Sequence, residues 1–408
     1  MANLFNFCGK IALGKETEKF KPIDRKVYDP SRWMNTTVKF NCISDTNRVL
    51  CTTQGGKWEN DSKNVVKTFS KSVKDANGNV TKGTSIEIPW NKRFDKDQIA
   101  KVAGFRKFVV DTGDTKMRYK LQDLVTAFKD GKETDEMMNE VGIYDLATAE
   151  ATLDKSQAKR KEFLTEWDFA EYLTKVCTSE KLKDKMFYIS GSYDVQYNPV
   201  NNKFYANYHV NRVILAPDDA EPSTKMEIDF FFGEDAFNDS TYEETGKCFI
   251  NGWVSYYDGN KDVKKNGFMP ITITLKEDNE KKINGFKRKF SVEDGIKQIG
   301  LTLKVIEGAE RVEITMDMLD EETQMDIDCG LLDFEEVVKE LGGNTFGDRI
   351  SELRFDKLSA GKNVVQDTVY TIEDMRPARK ETVAVEEIIN EVFDEDVPFS
   401  IDDDDDDL

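Results

Sequence analysis

Residues able to do chemistry are few and widely separated in this 408-residue chain. His209 is the single histidine, so Ser-His-Asp machinery, an H-E-x-x-H zinc site and a Cys/His finger all lack their second or spare imidazole. Its place inside a strand-like segment reads as structural. A G-x-x-x-x-G spacing runs from Gly78 to Gly83, but Thr84 stands where a phosphate loop needs lysine. Asp75, Asn77 and Asn79 begin like a calcium loop, yet Val80 replaces the turn glycine and Ile86 the closing glutamate. Asp317, Asp320, Glu321, Asp326, Asp328 and Asp333 read as a solvated acidic face rather than a magnesium site. The six cysteines form no C-x-x-C pair and read as reduced, mostly buried thiols. The expectation is a chain that is no enzyme and holds no metal or cofactor.

What does recur is cations interleaved with flat rings. Lys39, Phe40, Arg48, Lys57, Trp58, Lys63, Lys67 and Lys71 crowd one stretch. Trp90, Lys92, Arg93, Phe94, Phe105, Arg106, Lys107, Phe108, Arg118 and Tyr119 follow it. Cations neutralise phosphates, and rings stack on unpaired bases at about 1–3 kcal/mol per base, so this combination suits single-stranded nucleic acid. Some of these rings must fill a core. A further basic run, Lys281-Lys282 and Lys287-Arg288-Lys289, reads as a solvated hairpin rim that could extend the same groove.

Charge is distributed to match. Lys and Arg minus Asp and Glu come to +11 over residues 1–120, −18 over 121–380 and −13 over 381–408, for a net −20. A basic head and an acidic tail describe the chain better than its whole-chain pI. Composition excludes collagen, a disulfide miniprotein and a fully disordered chain, and there is no apolar run long enough to cross a membrane. The N-terminus lacks a signal-like apolar core, which places the chain in the cytoplasm as an expectation.

The elements that must position these residues are mostly strands. From Thr36, alternation sets Val38, Phe40 and Cys42 on one face, and Asp45-Thr46-Asn47 turns into RVLCTTQGG. NVVKTFSKSV and GTSIEIPW read as a hairpin-like pair, and FRKFVVD as a further strand. Helical character begins at YKLQDLVTAF and dominates about 143–182, where Leu164, Trp167, Phe169, Leu173 and Val176 suit a buried stripe. A long hairpin then begins at Met186, with Gly191 marking a bulge or sharp coil. KMEIDFFFG, GKCFINGWVSYYDG and GFMPITITLK continue at short spacing, followed by SVEDGIKQIG as helix, LTLKVIEGAERVEIT as hairpin and LLDFEEVVKELGG as helix. The fold class expected is mainly β with helical insertions (α+β), built on small barrels. Its parts are expected to be a basic β-barrel head at 1–125, a helical insertion at 126–182, a second barrel-like domain at 183–290, a mixed region at 291–380 and an acidic tail at 381–408.

That tail ends in six consecutive aspartates, which repel one another and are expected to be disordered. Val385, Ile388, Ile389, Val392 and Phe393 fall at helical spacing before it. Asp394-Glu395-Asp396-Val397-Pro398-Phe399 couples acids to an apolar hook.

A basic barrel head with rings, plus this tail, resembles the single-stranded DNA-binding replication proteins of bacteria and tailed bacteriophages. Bacterial members close on Asp-Ile-Pro-Phe, similar to the stretch ending at Phe399. The hairpin from Met186 looks like the opening strands of an oligonucleotide-binding (OB) fold. The resemblance departs in that nine residues follow Phe399, so Leu408 carries the terminal carboxylate, and no zinc site is present. It implies sequence-independent coating of single strands in replication, recombination and repair. It also implies contacts of Val397, Pro398, Phe399 and Leu408 with polymerase, primase-helicase or recombination factors, and competition between polyaspartate and DNA for the basic groove. Two other readings stay open on the sequence: a phage capsid or tail protein built of β-domains, and an acidic DNA mimic.

Overall fold

Alternation decides the first barrel. The structure is a computed structural model that describes residues 3–74, 80–258, 266–276, 279–312, 314–340 and 345–377. Val38, Phe40 and Cys42 of strand β2 (Trp33–Ser44) and Val49 and Cys51 of β3 (Asn47–Trp58) all point inward and are buried. The two strands pair throughout, with Phe40 opposite Cys51, across a turn at Asp45, which lies at φ +56°. β1 (Leu4–Ala12) pairs with β2 through Ile11 and Cys42, and with β4 (Met186–Asn198) through Phe7 and Ile189. β4 pairs with β5 (Lys203–Leu215), and β5 lies parallel to β3 where Tyr208 meets Cys51. The ring therefore closes in the order 1-2-3-5-4-1, a five-stranded Greek-key barrel of OB type.

The same order recurs in the second half. β6 (Ser223–Phe232), β7 (Lys247–Tyr257), β8 (Asn266–Lys276), β9 (Lys297–Val312) and β10 (Thr345–Leu358) form it. β6 pairs with β7 and β9, β7 with β8, β9 with β10, and β8 runs parallel to β10 at Ile273 and Leu353. Its core is built of Phe230, Phe232, Ile250, Ile273, Leu301 and Leu303. β1 also pairs with β6, Phe5 opposite Met226, so one sheet runs through both barrels.

Insertions supply the helices. Between β3 and β4 the chain makes a small lobe, then a three-helix module, α1 (Thr115–Asp130), α2 (Asp135–Val141) and α3 (Leu146–Gln157), packed on Leu121, Leu124, Ala149 and Leu153. α4 (Glu166–Cys177) follows and sends Phe169, Leu173 and Val176 into the first barrel. In the second barrel the equivalent connection holds α5 (Glu280–Phe290), with Ile283 and Phe290 buried. The β9–β10 connection carries α6 (Glu321–Asp328) and α7 (Phe334–Glu340). No helix among the described residues is long and apolar enough to cross a membrane.

The mainly β, helix-inserted class matches expectation, and so does the bulge at Gly191, where the β4–β5 register shifts. A Cβ there would fall 1.8 Å from the His209 carbonyl oxygen, so only glycine lets the strands approach. Several segments differ from expectation. The hairpin from Met186 closes the first barrel instead of opening another, because β1 and β3 supply its two edges. SVEDGIKQIG is not helical: the helix ends at Phe290, and Lys297 already begins β9. LTLKVIEGAERV, expected with the residues after it to be a hairpin, is one strand as far as Val312, since β6 and β10 pair along its two sides. Lys281, Lys282, Lys287, Arg288 and Lys289 lie on α5 rather than on a hairpin rim.

Candidate nucleic-acid interface

β3 carries Gly55 and Gly56 just before its end at Trp58, where the chain leaves the barrel. A Cβ on Gly55 would sit 2.1 Å from the Trp167 backbone nitrogen, so the first turn of α4 presses directly on the strand. Trp58 then meets Trp33 edge-on at 5.0 Å, and Lys57 lies 6.0 Å from the Trp90 ring and 5.7 Å from the Trp167 ring. Four of the five tryptophans thus surround one strand end.

Beyond it lies the lobe, residues 59–107, whose net charge is +5. Strands Val65–Phe69 and Ser85–Pro89 pair antiparallel over a small core of Val66, Ile88, Trp90 and Val102, completed by Leu164 from just ahead of α4. Alternation turns Val66 and Thr68 inward and Lys67 and Phe69 outward. Phe105 is 75% exposed, Phe94 55% and Phe69 40%, an unusual display of bare rings for so small a unit. Arginines interleave them. The Arg106 guanidinium carbon is 4.9 Å from the Phe69 ring centre and 5.4 Å from that of Phe105, while that of Arg93 is 4.0 Å from Trp90 and 4.3 Å from Phe94. A guanidinium so placed keeps rings and charge in register for a stacked, anionic strand.

The proposed binding residues fall into three groups. Arg48, Lys63, Lys71, Lys92 and Arg106 are exposed and make no ion pair among the described residues; Lys63 lies 5.6 Å over the Trp58 ring. Phe105 belongs with them, and Tyr119 is exposed on α1, outside the lobe. A second group is reachable but engaged. Lys57 binds Asp61 at 3.0 Å and holds that carboxyl below its usual range. Lys67 meets Glu87 at 3.5 Å, Arg93 clamps Asp168 at 2.8 Å, and Lys39 is half-buried over Phe20 on the outer face of β2. Trp58 is half-buried against Trp33.

The third group is corrected. Phe40 is fully buried in the barrel and Trp90 is 7% exposed in the lobe core, so neither ring offers a face to a base. Arg118 donates to both oxygens of fully buried Asp111, the second contact at 2.7 Å, and that bond keeps its pKa raised. The pair ties α1 to the strand Phe108–Asp111. Lys107 is spent on Glu162 at 2.6 Å; burial raises that carboxyl, but the bonds from Lys107 and Arg160 outweigh it and leave it lowered. Phe108 packs against Phe169.

Phe69 is the ring that sequence reading missed, although the outward phase of Lys67 marks it. His209 contacts Glu166 at the start of α4, which fits its structural reading. Burial alone would lower its pKa; the bond to Glu166 and the field of Glu166 and Asp194 raise it instead. Burial pushes the Cys42 and Cys177 thiols up to about 12, leaving them unreactive at neutral pH. The hook and terminus at Val397, Pro398, Phe399 and Leu408, and the loop of Asp75, Asn77 and Asn79, lie outside the described residues.

No protein-family model matches the chain, and no curated protein is similar to it. Among solved structures it is similar to a deletion variant of the single-stranded DNA binding protein from Thermus aquaticus, at 5% identity and a TM-score of 0.26, over 74% of this chain and 86% of that one.

Proposed function

We propose that this protein binds single-stranded DNA without regard to sequence, laying the strand across the lobe and the outer face of β2 and β3. The observation that carries the reading is the lobe itself: bare Phe69, Phe94 and Phe105 alternate with Arg93 and Arg106, beside Lys63, Lys71 and Lys92, which meet no carboxylate among the described residues. Barrels of this topology take oligonucleotides on their second and third strands, and the lobe continues the third. The rings stack on any base and the cations meet any phosphate, which makes the contact indifferent to sequence. In this reading the protein coats exposed strands during replication, recombination and repair, as a phage-type protein working in the cytoplasm of a host cell. Its 13 acids beyond residue 380 compete with DNA for the lobe and, once displaced, offer Val397, Pro398 and Phe399 to replication or recombination proteins.

Anisotropy of a labelled oligo-dT titrated with the full chain at several salt concentrations tests this. Five released counterions predict a slope of log K against log salt of about −3.5. Binding that is absent, or insensitive to salt, would overturn the reading.

A further inference from the structure

The second barrel turns a different surface outward at the position where the first carries Lys39 and Arg48. Two adjoining cavities of about 280 and 400 Å³ are lined in part by β7 and β8 and share Ile271 and Thr272. One opens on Trp253, Pro270 and the β6–β7 connection at Glu234 and Asp235; the other on Phe249, Tyr193, Tyr208 and Glu307. Trp253 and Pro270 lie opposite each other in the ladder and share the face on which the first cavity forms a cleft. Its rim is anionic: Glu234 and Asp235 are exposed and have no cationic partner among the described residues. Two strand cations, Lys247 and Arg354, are both held by Glu352, at 2.6 and 3.0 Å. The exposed Glu234 and Asp235 repel a phosphate backbone, where the cations of the lobe attract one.

We infer that the β7–β8 cleft is a docking site for an extended, lysine- or arginine-rich peptide segment of a partner protein, anchored by an apolar side chain against Trp253 and Pro270, which share one face of the ladder. Charge complementarity selects the occupant: the floor offers area to an aliphatic or aromatic anchor, and the rim offers carboxylates to flanking cations. The inference stands independently of strand binding by the lobe, because no residue is shared between the two surfaces.

The probe is a fluorescein-labelled twelve-residue peptide alternating Lys and Leu, with a Glu/Leu peptide as its control, titrated into the full chain. The Lys/Leu peptide is expected to bind and the Glu/Leu peptide not to. Glu234→Lys with Asp235→Asn is expected to weaken the Lys/Leu peptide at least tenfold while leaving oligo-dT affinity unchanged; asparagine suits Asp235, which sits at φ +54°. Trp253→Ala is expected to weaken it similarly, and the exposed rim variant keeps the test valid should that truncation disturb folding. Removal of residues 381–408 is expected to leave peptide affinity within twofold. Equal affinity in the rim variant, loss of peptide binding with the tail, or one-for-one displacement of the peptide by oligo-dT would each overturn the inference.

Discussion

The two barrels share a ring order, a helix in the same connection and a core rich in phenylalanine, yet residues 1–216 carry a net charge of +7 and residues 217–367 one of −15. Inward residues built both rings, and nothing in those residues distinguishes what the rings bind. The distinction lies in the outward phase of the second and third strands and in what each connection adds. The first barrel inserts a cationic lobe after its third strand. The second inserts acidic α6 and α7 between its fourth and fifth. One topology thus presents two surfaces of opposite sign, which fits strand binding on one and exclusion of strands from the other.

That contrast can be broken at several levels. Phe40→Ala and Phe230→Ala, each emptying a fully buried site in one barrel, are expected to cost about 3–5 kcal/mol in chemical denaturation. A negligible loss for Phe40 would return that ring to the surface. Arg106→Glu combined with Lys92→Glu is expected to lower oligo-dT affinity about a hundredfold at moderate salt while leaving the melting temperature unchanged. Phe105→Ala removes a bare ring and should weaken oligo-dT by about 1–3 kcal/mol, read in the same titration, with stability untouched.

A subtler effect belongs to the His209–Glu166 contact, which joins β5 to α4 beside the lobe. The pair raises the folded-state pKa of His209 above its ordinary 6.5, so its stabilisation is complete below 6.5 and disappears as pH rises through the folded value. Denaturation midpoints should therefore fall across that window in the native chain, and His209→Gln should flatten the fall. The smallest change is expected from Lys281→Glu with Arg288→Glu on α5 of the second barrel: less than twofold in oligo-dT affinity. A larger effect would bring the second barrel into the strand path.

Local features of this fold were legible because they rest on period. Val38, Phe40 and Cys42 announce one buried face, and the same alternation should have moved Phe40 from the binding set to the core. Gly191 announced its bulge because a mid-strand glycine has few other uses. Ring closure was not legible. The parallel contact of β3 with β5 joins Cys51 to Tyr208, and no local pattern encodes a partner so distant. α5 was misplaced for a related reason: Ile283, Phe286 and Phe290 hold the helical phase, but the cations between them looked like a solvated rim. Within the interface, charge and ring content pointed to the right stretch. Which cations stay free depended on Asp111, Asp168 and Glu162, brought in by the fold from other elements. Arg118 and Lys107 were lost to those partners.

Photocrosslinking of a 5-bromouracil oligonucleotide to the full chain, read residue by residue, tests the central claim most directly. Crosslinks at Phe69, Phe94 and Phe105, with none at Phe249 or Trp253, are the predicted result. Crosslinks concentrated on the β7–β8 face, with the lobe unmarked, would contradict it.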